Sequence, residues 1–182
     1  MAKLIEKVYG EALFELAVEE GKTASLMEEI LTVKQALADN PELAKLMQHP
    51  GVPEAEKEQV LENIWGQSVS REVTGIMLLL LKKEHYGQLP LVLDYFLEKV
   101  REKERIGIAY VKTAVQLSDA QQAKVEKRLL ETTSYRKFEM HFEVEPSLIG
   151  GMVIRIGDRV VDSSIKTRLE NLSRQLYQIK LQ

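Results

Sequence analysis

"EKVREKERIGIAYVKTAV", residues 98–115, joins two kinds of pattern. Its first half is the charged end of a segment that carries Leu91, Phe96 and Val100 at helical spacing. Its second half, "IAYVKTAV" at 108–115, is rich in β-branched and aromatic residues and reads as a strand. The change falls at Gly107. Helical periods precede it and strands follow it, which predicts an α+β chain: a six-helix bundle over 1–105, then a smaller α/β domain over 106–182.

Working back from the boundary, five further segments have the period of helices. In the first, Ile5, Val8, Ala12 and Leu16 share one face, and Tyr9, Leu13 and Ala17 widen it, up to Gly21. The second opens near Thr23 or Ser25 and carries Leu26, Ile30, Val33 and Leu37. "DNPELAKLMQHPG" then supplies Asn40 as N-cap, Pro41 at the first helical position, a short helix and a Pro-Gly stop. Pro53 opens the fourth, with Val60, Leu61 and Ile64 as its apolar side and Trp65 as a core anchor at its end. The fifth follows Ser68 or Ser70 and is expected to run through "TGIMLLLLKKEHYG" to Gly87. Short loops between such segments suit a bundle of antiparallel neighbours.

Working forward, Ser118 and Gln121 have capping-box spacing and open a helix with Ala123 and Leu130 on it. "KFEMHFEV", 137–144, alternates, with Phe138, Met140, Phe142 and Val144 on one face. "MVIRIGDRVVD" is a hairpin turning at Gly157-Asp158. Asp162 or Ser163 caps a last helix with the stripe Ile165, Leu169, Leu172, Leu176 and Ile179.

The paired glycines Gly150-Gly151 raise the question of a phosphate loop. Such a loop needs glycines directly before a helix, where free N–H groups and the helix dipole face the anion. These two precede a strand, and neither a dinucleotide fingerprint nor a P-loop ending is present. They read as scaffold, a bulge or a close backbone approach. His49, His85 and His141 have no ligand spacing, Ser147 and Ser164 have no evident base, and cysteine is absent. No catalytic residue, cofactor or metal is therefore expected.

Charge and hydropathy narrow the field further. The net charge of −3 does not suit a nucleic-acid partner. Residues 1–105 hold 13 Lys and Arg against 19 Asp and Glu, a net of −6, whereas 106–182 hold 12 against 9, a net of +3. Two units meeting differently charged partners would give this asymmetry. The longest apolar run, "IMLLLL" at 76–81, is far short of a membrane span, and the first residues, acidic and without an uninterrupted apolar core, are not expected to be a secretory signal.

Three stretches carry a family resemblance. "EPSLIGGMVIRIGDRVVDSSIKTRL" (145–169), "YGEALFELA" (9–17) and "GQLPLVLDYF" (87–96) are similar to signatures of the delta subunit of bacterial F-type ATP synthase, whose mitochondrial counterpart is the oligomycin sensitivity-conferring protein. Ser163 departs from the pattern, many members having Gly there. The resemblance implies a non-catalytic stator subunit at the cytoplasmic face of a bacterial cell membrane, held there peripherally through the complex. It implies that the first and fifth helices grip the N-terminal helix of an alpha subunit. It also implies that the C-terminal part holds the end of the b subunit, so that rotation is coupled to ATP synthesis. A helix-binding adaptor of another complex is the alternative, and a small enzyme a third.

On this reading the alpha-binding residues are Ile5, Val8, Tyr9, Ala12, Leu13 and Leu16 with Ile76, Leu79 and Leu80. Both helices hold apolar surface beyond the one stripe that a core requires. Tyr9 and Leu79 are expected to matter most. The b-binding residues are Leu172, Leu176 and Ile179, on a stripe whose spacing approaches a coiled-coil seam. The competing expectation is that this stripe packs on its own sheet.

Overall fold

The computed structural model describes the backbone of residues 2–179 and the side chains of residues 4–175. The fold is α+β, and the chain divides into two compact units, Met1–Lys103 and Glu104–Gln182.

The first unit is built from α1 (Ala2–Glu19), α2 (Thr23–Asp39), α3 (Pro41–Gln48), α4 (Glu54–Trp65), α5 (Arg71–Lys82), a single 3-10 turn at Tyr86–Gln88, and α6 (Leu89–Glu104). Their apolar stripes meet in one core that includes Leu13, Ile30, Leu61, Met77, Leu80 and Phe96. Asn40 and Pro41 start α3, and Pro53 precedes α4, as the sequence predicts. Ile64 departs from its expectation. The expected apolar side of α4 is too wide, because Leu61 and Trp65 at i, i+4 suffice to seal the helix, and Ile64 is left exposed.

Two contacts fix how α1 and α5 present their outer faces. Gly10 lets α1 approach α6 so closely that a Cβ there would lie 2.6 Å from the Tyr95 ring. The Tyr95 hydroxyl donates to Glu11 Oε2 at 2.6 Å. This turns Leu13 and Ala17 inward, and Val8, Ala12 and Leu16 outward. At the head of α5, the Ser70 N–H donates to Glu29 Oε2 of α2 at 2.8 Å, and Thr74 Oγ1 donates back to the Ser70 carbonyl at 3.1 Å.

The second unit holds a mixed sheet of β1 (Ile106–Thr113), β2 (Lys137–Val144), β3 (Met152–Ile156) and β4 (Arg159–Asp162), in the order β2-β1-β3-β4. β1 and β2 are parallel, so a crossover must join them, and α7 (Asp119–Thr132) supplies it. The capping box is present, the Ser118 N–H donating to Gln121 Oε1 at 2.9 Å. β3 pairs antiparallel with β1 and with β4, and the hairpin turns at Gly157-Asp158. Leu129 of α7 packs on Ala109 of β1 and Phe138 of β2. On the opposite face, Tyr110 stacks on His141 at 4.9 Å and under the Arg155 guanidinium at 4.8 Å.

The opening of α8 (Ile165–Ile179) corrects one expectation. Its cap is Ser164, not Asp162 or Ser163. Ser164 Oγ accepts the Thr167 N–H at 3.2 Å. Asp162 instead braces the cap, accepting the Ser164 N–H at 2.8 Å and the Thr167 hydroxyl at 2.7 Å. These bonds hold its carboxyl below the usual carboxylate range, the Thr167 hydroxyl foremost. Ser163 is occupied elsewhere, its N–H and its hydroxyl both donating to the Met152 carbonyl.

Candidate functional site

The outward faces of α1 and α5 form an apolar groove of about 410 Å³. Ala12, Leu13 and Leu16 form one wall, and Gly75, Ile76 and Leu79 the other. Arg71 and Glu72 close the end where α5 begins. Leu16 and Leu79 are 37% and 40% exposed, so each presents apolar surface that the protein's own core does not use. Five of the nine residues expected to bind a partner helix are thus brought together here.

The other four lie elsewhere. Val8 is exposed one turn before Ala12 on the same face of α1. Ile5 and Tyr9 are half-buried against the core. Leu80 is wholly buried, because a helix turns 100° per residue and the inward stripe of α5 runs Val73, Ile76, Met77 and Leu80. The sequence shows that α5 has more apolar residues than one stripe needs. It does not show which of four consecutive leucines is left outside.

The groove's polar end is an ion cluster. Lys22 Nζ lies 2.7 Å from Glu72 Oε1 and 2.6 Å from Glu20 Oε2. The hydrogen bond from Lys22 holds the Glu72 carboxyl down at about 2, and both carboxylates raise the Lys22 ammonium above its usual value. The cluster ties the loop after α1 to the first turn of α5. Sequence reasoning passed over Arg71, Glu72 and Gly75; the available signal was Gly75 itself, an isolated glycine inside a helical run.

In the second unit, Ile165, Leu169 and Leu172 form an exposed stripe along α8, the last 55% exposed. Packing on the unit's own sheet does not cover these three. The side chains of Leu176 and Ile179 lie outside the described residues. Among the described residues no cluster of His, Asp and Glu has the arrangement to hold a metal ion, and no helix is long and apolar enough to cross a membrane.

The profile of the family described as "ATP synthase delta (OSCP) subunit" matches residues 5–176. A Lachnoclostridium phytofermentans protein named ATP synthase subunit delta is 46% identical over 181 residues, covering 100% of both chains. The protein of the same name from Alkaliphilus oremlandii is 30% identical over 98% of this chain and 99% of its own. The fold also matches a chain in the structure of the Toxoplasma gondii mitochondrial ATP synthase hexamer, with a TM-score of 0.67 at 21% identity, covering 94% of this chain and 97% of that one.

Proposed function

Since the chain belongs to the ATP synthase delta (OSCP) subunit family, we propose that it is a non-catalytic stator subunit whose task is to hold two partners at once. The observation that carries this reading is the groove between α1 and α5, an apolar trough without chemistry in a protein of that family. Its walls offer apolar side chains at three- and four-residue spacing, the arrangement that receives an amphipathic helix. The alpha subunit's N-terminal helix is the guest. Residues 1–105 act as a six-helix bundle that grips it, with the exposed Leu16 and Leu79 as anchors and the buried Ile76 as floor between them.

The α/β unit, 106–182, binds the C-terminal end of the b subunit through α8. Leu172 supplies exposed apolar surface for this contact, and Leu176 and Ile179 continue the stripe. A rotating central stalk drags the catalytic head with it unless a peripheral stalk resists. The subunit's contribution is therefore tight binding at each end, at the cytoplasmic face of the membrane and without direct insertion. It requires no cofactor and turns over no nucleotide.

The test is a pull-down of the full chain with two synthetic peptides, one from the alpha N-terminus and one from the b C-terminus. Capture by both, each unaffected by the other, is the expected result. Failure of the alpha peptide to bind removes the groove assignment.

A further inference from the structure

Gly75 stands in the interior of α5, where glycine is disfavoured more than any residue but proline. No packing contact among the described residues requires it. A Cβ built there would meet no atom within 4 Å, whereas one at Gly10 would collide with the Tyr95 ring. Two hollows meet at this position. One is the α1–α5 groove. The other, about 420 Å³, lies on the opposite flank of α5 and is lined by Glu62, Gln67, Thr74 and Leu78. Arg71 and Gly75 line both. The crest of α5 is therefore notched at Gly75, one turn after Arg71 and one turn before Leu79.

We propose that Gly75 is the crossing point of the docked alpha-subunit helix, which packs its backbone over the notch and extends its contacts into the second hollow. The proposal rests on the groove reading above and adds the guest's depth and its footprint. Helix axes pack 8–10 Å apart depending on the side chains between them, and a glycine at the contact permits the near end of that range. Ala12 on the facing wall is small as well, so neither wall holds a guest backbone off at this level. Arg71, exposed at the head of both hollows, favours a guest that carries a carboxylate there.

The decisive variant is Gly75→Ala in the full chain, because it separates stability from binding by sign. Alanine gains helix propensity in open space, so the thermal midpoint of the free protein should rise by roughly 4 °C. The added methyl obstructs the crossing, so affinity for a synthetic alpha N-terminal peptide should fall by roughly tenfold, and Gly75→Leu should lower it further. If Gly75→Ala binds like the wild type while Leu79→Ala binds weakly, the crossing is wrong and the groove stands. If both variants bind like the wild type, the groove reading fails with it. A lowered midpoint in Gly75→Ala would mean that the protein itself needs this glycine, and would overturn the proposal.

Discussion

Leu79 and Leu80 are adjacent leucines with opposite fates, and the difference sets what each substitution should do. Leu80 is part of the core, where truncation to alanine costs about 2–5 kcal/mol of stability. Leu79 lines the groove, so Leu79→Ala should weaken binding of the alpha peptide by about thirtyfold, some 2 kcal/mol, with little change in thermal midpoint. Tyr9, expected from the sequence to be an anchor beside it, packs against the core. Tyr9→Ala should therefore lower the midpoint, and calorimetry alongside binding per folded molecule separates the two effects. Glu72 makes a prediction in pH. Its carboxyl titrates near 2 in the folded protein against an ordinary 4.5, so its pairing with Lys22 stabilises fully above the ordinary value and is lost as pH falls towards 2. The urea-midpoint difference between wild type and Glu72→Gln should accordingly be constant above about pH 5.5, narrow from about pH 4.5 downward and be mostly gone near pH 2. A difference that persists unchanged to pH 2 would rule out the ion pair as its source.

Elements were legible where one local rule decides them. Pro41, Ser118 with Gln121, and Gly157-Asp158 each announce a start or a turn through chemistry that few other residues provide, and each element lies where expected. The cap of α8 was less legible, because Asp162, Ser163 and Ser164 are all competent caps, and the bond that takes Ser163 out of the choice goes to Met152 on another strand. The facing of α1 was illegible for a related reason: its apolar residues cover two adjacent stripes, and the contact of Gly10 with Tyr95 selects the inward one. The paired glycines before β3 have a firm consequence at this scale. Gly151 has φ +77°, and a Cβ on it would lie 2.5 Å from the Ser163 carbonyl oxygen, where β4 leads into α8. Gly151→Ala should therefore destabilise the second unit by about 2 kcal/mol or more, read as a lower urea midpoint, with the alpha-peptide affinity unchanged.

Across the whole chain, helical periods give way to strand patterns at Gly107, and the compact units are Met1–Lys103 and Glu104–Gln182. The two are unequal in core. Among the described residues, twenty buried apolar side chains belong to the first unit's cluster, against three in that of the second. The separate fragment 1–105 should hence fold to a helical state with cooperative melting, whereas 106–182 should be less stable alone. Strong β-sheet circular dichroism from 1–105 would contradict this. Trp65 offers a way to watch the difference in the intact protein. It is the chain's single tryptophan, and it is buried at the end of α4. Emission excited at its wavelength thus comes from the helical unit alone, and the sheet unit is dark. When the intact chain is titrated with urea, fluorescence and far-ultraviolet ellipticity should part company, the ellipticity beginning to fall first. That gap is a direct optical record of how far the sheet unit can loosen while the helical unit stays folded.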